Sequence, residues 1–289
     1  MPRVNRAIEL LEQGQPIYYT GTGELSYENG VKAAQTWGDY LMAEMEHHPF
    51  DLTGLSEFMR GLVDGGPTRS GHRTPAVIVT LPTDGTSADV MRANAWMVKH
   101  VLAIGVHGIL LCHAETPVAV KTFVESARYP FNTLGVGAGL DDGRRGGGGQ
   151  GSAAAIWGLP VREYLDKADP WPLNPQGELL LGLKIEDKRC LANAEASTKV
   201  PGIGFAEWGP GDMGMSLGYA DRHDPPYPDE MREARARVFA ACKAVGIAFL
   251  NGVNPDNVTA MLDEGVMIGS GGAEAAEIGR KHTGRTMPP

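Results

Sequence analysis

Short apolar runs bounded by turn-forming or charged residues recur along the chain, at PIYYT (16–20), DYLMAE (39–44), AVIVTLP (76–82) and GVHGILLC (105–112). Four more follow at LLLGLKIE (179–186), GIGFAEWG (202–209), GIAFLNG (246–252) and VMIGSG (266–271). Runs that are apolar on both faces mark parallel strands covered by helices, whereas an antiparallel sheet with one wet face alternates. Between them, residues 88–104, 117–128 and 228–245 read as helices. Eight strands separated by helices predict a (β/α)8 TIM barrel, with a doubly wound open sheet as the alternative. The phrases AIGVHGILL (103–111), AVGIAFLNG (244–252) and DEGVMIGSG (263–271) each read as a helix end, a glycine and a strand, the joint such a barrel needs.

The pattern predicts one domain over residues 1–289, preceded by a short amphipathic helix in MPRVNRAIELLEQGQP. It breaks at about 138–177, which contains GLDDGRRGGGGQGSAAAIWG and DKADPWPLNPQGE and predicts an inserted loop; the first stretch is too glycine-rich to hold a helix and predicts a mobile surface loop. GVGAG (135–139) lacks the strand-turn-helix context of a dinucleotide-binding turn, so no such cofactor is expected.

Charge narrows the partner. A net charge of −9 disfavours nucleic acid and anionic membranes, both of which reward a basic face, and favours a small molecule. Three scattered cysteines, Cys112, Cys190 and Cys242, support neither a disulfide framework nor a CxxC metal site, and the expected compartment is a reducing cytoplasm. No apolar run reaches the roughly 18 residues of a membrane span.

In a (β/α)8 barrel, chemistry sits at the C-terminal ends of the strands. Three ends are crowded with polar groups: Glu44, Glu46, His47 and His48 after the second run; Lys184, Glu186 and Asp187 at the fifth; and Glu207 and Asp212 in EWGPGDMGMSLG after the sixth. Strand alternation turns Lys184 and Glu186 one way and Ile185 the other. If Ile185 faces the helices, Glu186 faces the mouth, where Asp212 converges with it in a pattern suited to Mg2+ or Mn2+. The alternative is that Glu186 pairs with Lys184 or Lys188 and Asp212 caps a turn.

EMEHHPFD, RYPFNTLGVG, LKIED, GPGDMGMSLGY and GVMIGSG, in that order between about Gln15 and His282, together resemble the HpcH/HpaI aldolase family, class II pyruvate aldolases related to citrate lyase β subunits. The resemblance implies a carbon–carbon lyase that cleaves or forms a 4-hydroxy-2-oxo acid from a 2-oxo acid and an aldehyde. It implies a divalent ion, Mg2+, Mn2+ or Co2+, on Glu186 and Asp212, with His47 as the acid/base and Glu46 supporting metal-bound water. It also places the backbone of Gly209, Pro210 and Gly211 against the substrate carboxylate, and implies a homo-oligomer, a hexamer favoured, with its last helix exchanged between subunits.

The chain departs from the family pattern at three places. Thr80 stands where the family has a substrate-binding arginine, and Ala103 where it has an aspartate that partners the histidine. Asp84 and Asp89 in the neighbouring stretch are candidate substitutes for that aspartate. Lys184 stands where the family has glutamine, and is expected to supply the missing cation. A decarboxylase, a citrate-lyase-like enzyme and a non-catalytic barrel that binds metal and oxo acid are the other readings. A Schiff base on Lys184 is disfavoured because Glu186 beside it stabilises the ammonium form.

Overall fold

The computed structural model describes residues 3–221 and 224–289. Among the described residues nine strands form, all pairing in parallel: β1 (Ile17–Gly21), β2 (Tyr40–Ala43), β3 (Ala76–Asp84), β4 (Gly108–Cys112), β5 (Pro170–Trp171), β6 (Leu179–Lys184), β7 (Phe205–Glu207), β8 (Ala248–Gly252) and β9 (Ile268–Ser270). They run β4-β3-β2-β1-β9-β8-β7-β6, and a β4–β6 pairing closes the ring into the expected eight-stranded barrel. The two-residue β5 pairs with the start of β6 and lies outside that ring.

Alternation along the strands sorts the core into two layers. Ile17, Tyr40, Ile78, Leu110, Leu180, Phe205, Leu250 and Ile268 fill the barrel interior. The helix Arg6–Glu12 adds Ala7, Ile8 and Leu10 to the same cluster and so stoppers the barrel. Gly182 leaves room for the Phe205 ring, to which an added Cβ would come within 2.2 Å. The opposite strand faces, among them Leu41, Val79, Leu181 and Ile185, pack against the surrounding helices.

Asp39, just before β2, anchors the base. It accepts the Tyr18 N–H at 2.9 Å and a hydrogen bond from Arg285 at 2.8 Å, and lies 3.3 Å from Arg280. Burial pushes its pKa up, but the arginines outweigh burial and hold it below the usual carboxylate value. Through these contacts the last helix, Ala273–His282, packs on its own barrel, with Ala275 and Ala276 against Tyr18 and Val258.

The glycine-rich stretch expected to hold no helix instead forms the helix Gln150–Trp157, and a second helix, Val161–Lys167, follows it. Glycine is confined to the approach and the ends, while the alanine run between them buries Ala153, Ala154 and Trp157. A buried bidentate pair, Arg128 to Asp169 at 2.7 and 3.1 Å, ties this segment to the rest of the barrel. None of the described helices is long and apolar enough to cross a membrane.

Candidate active site and metal centre

A cavity of about 600 Å³ opens at the C-terminal ends of the strands, lined by Asp84, His113, Asp187, Asp212, Met215 and Ser216 among others. The groups around it come from five loops.

After β2 the chain turns on its own side chain. Glu44 Oε1 accepts the N–H groups of Glu46 at 2.7 Å and His47 at 2.9 Å. Burial pushes Glu44 up, but those two hydrogen bonds and the neighbouring imidazoles hold it below its usual pKa. Thr80 Oγ1 completes the clasp by accepting the Met45 N–H at 2.9 Å and donating to Glu44 at 3.3 Å. Thr80 is buried, and its hydroxyl hydrogen-bonds to the β2 end. The turn sends Glu46 inward with its side chain 7% exposed, and leaves the His47 ring 62% exposed with Nδ1 3.5 Å from Glu44 Oε1.

At the end of β6, Ile185 packs in the outer core and leaves Lys184 and Glu186 to the barrel axis. The Lys184 ammonium bonds Glu46 Oε2 and lies 3.6 Å from Glu186 Oε2. Burial alone would lower the lysine's pKa, but Glu186, Glu207 and Glu46 raise it well above the usual value. Lys184 is therefore a fixed cation and a poor nucleophile. Burial pushes Glu186 up to about 7, the like charges of Glu46 and Glu207 add to it, and Lys184 and the His113 N–H only partly offset it.

Gly209 makes this position of Glu186 possible: an added Cβ would fall 2.7 Å from Glu186 Oε2. It caps the helix Pro210–Leu217, whose first turn carries Asp212 on the cavity wall. The Gly211 and Asp212 N–H groups in that turn have no partner within the helix.

β4 contributes the residue the sequence pattern left out. His113 follows Cys112 with φ of +41°, the one positive-φ residue other than glycine among the described residues. Its N–H donates to Glu186 Oε1 at 3.0 Å, its Nδ1 lies 3.1 Å from Asp187 Oδ2, and its Nε2 lies 3.7 Å from Glu46 Oε1. The hydrogen bond to Asp187 raises its pKa to about 9 against burial, with Glu186, Asp84 and Glu46 adding to the effect. A polar ring placed directly after an apolar strand, in LLCHAET, was the available signal.

β3 also runs further than its apolar stretch suggested. Its pairing with β4 is irregular between Thr80 and Asp84, which carries Asp84 into the mouth, where burial raises its pKa. Asp89, the other candidate, is 94% exposed and pairs with Arg92.

Donor atoms of Glu46, His113 and Glu186 lie within 4.8 Å of one another. Glu46 Oε1 is buried without a hydrogen-bond partner. Glu44, Glu46, Asp84, Glu186, Asp187, Glu207 and Asp212 outnumber the cations around them, Lys184, His113, Lys188 and Arg189. An unpaired buried acceptor and surplus negative charge both fit a divalent ion.

The sequence profile of the HpcH/HpaI aldolase/citrate lyase family matches residues 82–278. The chain belongs to this family. The matched span contains Lys184, Glu186, Gly209 and Asp212, and begins after Glu44–His48 and Thr80. It is 29% identical over 218 residues to a 2-keto-3-deoxy-L-rhamnonate aldolase of Klebsiella pneumoniae, an overlap of 74% of this chain and 67% of that protein. It is 27% identical to a hydroxypyruvate/pyruvate aldolase of Paraburkholderia phytofirmans, over 73% of this chain and 68% of that one. A crystal structure of a family member from Burkholderia cenocepacia superposes with a TM-score of 0.72, at 22% identity and 97% coverage of both chains, and shows the same fold. The HpcH/HpaI chain described here is an enzyme of the class II, metal-dependent aldolase type.

Proposed function

We propose that this enzyme cleaves or forms a 4-hydroxy-2-oxo acid, releasing or consuming a pyruvate-type 2-oxo acid and an aldehyde. The observation that carries the reading is Glu186, a buried carboxylate at a strand end whose position requires glycine at 209, beside a cavity lined by Asp212. Glu186 and Asp212 would hold Mg2+, Mn2+ or Co2+. The ion would supply Lewis-acid polarisation of the keto oxygen of the 2-oxo acid.

The chain's own groups account for the rest. The Gly211 and Asp212 N–H groups at the helix start face an anion favourably, and with Gly209 and Pro210 receive the substrate carboxylate. His47 takes the proton from the 4-hydroxyl, its ring set by Glu44 and Glu46 at 3.5 and 3.8 Å. Lys184 stands as the cation of the mouth and acts on Glu46 and Glu186 rather than on the substrate as the family arginine would. Thr80 shapes the β2 turn that presents His47.

A homo-oligomer, a hexamer as the resemblance implies, and a cytoplasmic location in keeping with three free buried cysteines complete the reading. Product analysis tests it. Aldehyde release supports the aldolase, carbon dioxide would indicate a decarboxylase, and dependence on a thioester a citrate-lyase-like enzyme. His47→Ala should abolish turnover with fold and metal content intact; turnover unchanged in that variant would remove His47 from the reaction.

A further inference from the structure

Two features of the mouth have no part in that proton chemistry: a histidine held in a left-handed backbone conformation, and a buried carboxylate oxygen with no partner. They face each other. Glu46 Oε2 is held by Lys184, which aims Oε1 at His113 Nε2 across 3.7 Å, beyond hydrogen-bonding reach.

The other side of the imidazole is committed. Asp187 accepts the N–H groups of Arg189 and Cys190 on Oδ1, at 2.7 and 3.0 Å, and presents Oδ2 to His113 Nδ1 at 3.1 Å. A carboxylate on Nδ1 keeps one hydrogen there and turns Nε2 toward Glu46, so an ion taken up at Nε2 would displace the second proton of the imidazolium. This carboxylate–histidine arrangement is the one that fixes and strengthens imidazole ligands of metals. Donors bound to one ion at about 2.0–2.2 Å stand about 3–3.7 Å apart, so the Nε2 to Oε1 gap is of the size an ion fills.

We propose that the metal held by Glu186 is also bound by His113, through Nε2, and by Glu46. The proposal rests on the metal-dependent reading above and shares Glu186 with it. A nitrogen donor shifts the site's preference away from Mg2+, which takes oxygen ligands, toward the borderline ions Co2+ or Zn2+. The left-handed backbone at 113 is then the cost of turning an imidazole into the mouth from the end of β4.

The test is Co2+ titration of the full-length, EDTA-stripped protein, followed by its visible absorption and by calorimetry, with Mg2+ as competitor. His113→Gly removes the ligand and suits the backbone angle, and Glu46→Gln removes the facing charge at constant shape. The proposal expects either change to weaken Co2+ binding by about tenfold or more, the lower bound for disturbing even an outer partner of a ligand. His113→Gly should also alter the Co2+ absorption band while changing Mg2+ affinity far less. The same Co2+ affinity and spectrum in His113→Gly as in the parent would overturn the proposal and leave the metal-dependent reading standing. Failure of the parent protein to bind any of the ions would overturn both.

Discussion

Lys184 and Glu46 close a bridge across the barrel mouth, from the end of β6 to the end of β2. The bridge joins the two strand ends that carry the proposed base and metal carboxylate, and it uses up the lysine's charge on protein carboxylates. A 2-oxo acid entering the cavity would thus meet an ammonium already paired with Glu46 and lying near Glu186.

Lys184→Met should therefore leave Glu46 and Glu186 repelling each other, lowering kcat by about 10²-fold, the scale of losing one preorganised electrostatic group. Borohydride treatment of the parent protein with pyruvate should yield no adduct on Lys184. A trapped adduct would show that the lysine acts covalently.

Gly209→Ala tests the support of Glu186. The new methyl would meet Glu186 Oε2 at 2.7 Å and its Cβ at 2.9 Å, so the carboxylate must move. The expected result is a stability loss of about 1–3 kcal/mol from overpacking, with weaker metal binding by calorimetry and a matching fall in kcat. Unchanged metal affinity would show that Glu186 is not the ligand.

His107 makes stability depend on pH away from the site. Its Nδ1 accepts the Val77 N–H at 3.1 Å, and the ring is buried against Trp157. Burial, reinforced by His72, pushes its pKa from 6.5 down to about 3. Between those values the unfolded chain binds a proton that the folded chain does not, so stability rises with pH, is complete above about 6.5 and is lost toward 3. The slope from this residue is about 1.4 kcal/mol per pH unit. Denaturant melts across that window should show a shallower slope in His107→Gln, whose side-chain carbonyl can still accept from Val77.

Asp169→Ala should leave the Arg128 guanidinium buried without its partner and cost about 3–5 kcal/mol. Because the pair lies in the segment between β4 and β6, metal affinity measured below the melting transition should stay at the parent value. A change in metal affinity at unchanged fold would link this segment to the site.

Barrel strands were legible because each is apolar on both faces, and the glycine joints marked where helices hand over to them. The placement of Lys184, Glu186 and Asp212 at the strand ends was legible because they end strands or follow a glycine turn. Three features were hidden in tertiary detail. Asp84 reaches the mouth through an irregular β3–β4 pairing that period-two alternation does not encode. His113 depends on a positive φ, which histidine does not signal as glycine does. The helix Gln150–Trp157 forms despite its glycines because its alanine face is buried by the barrel, and burial outweighs local propensity.

The central claim, metal-dependent cleavage of a 4-hydroxy-2-oxo acid at Glu186, is tested most directly by pyruvate release from a panel of such acids. The assay is run on EDTA-stripped protein and again after addition of Mg2+, Mn2+ or Co2+. Release should be absent without metal, return when metal is added, and fail to return in Glu186→Gln. Metal-independent release, or release that survives in Glu186→Gln, would contradict that claim.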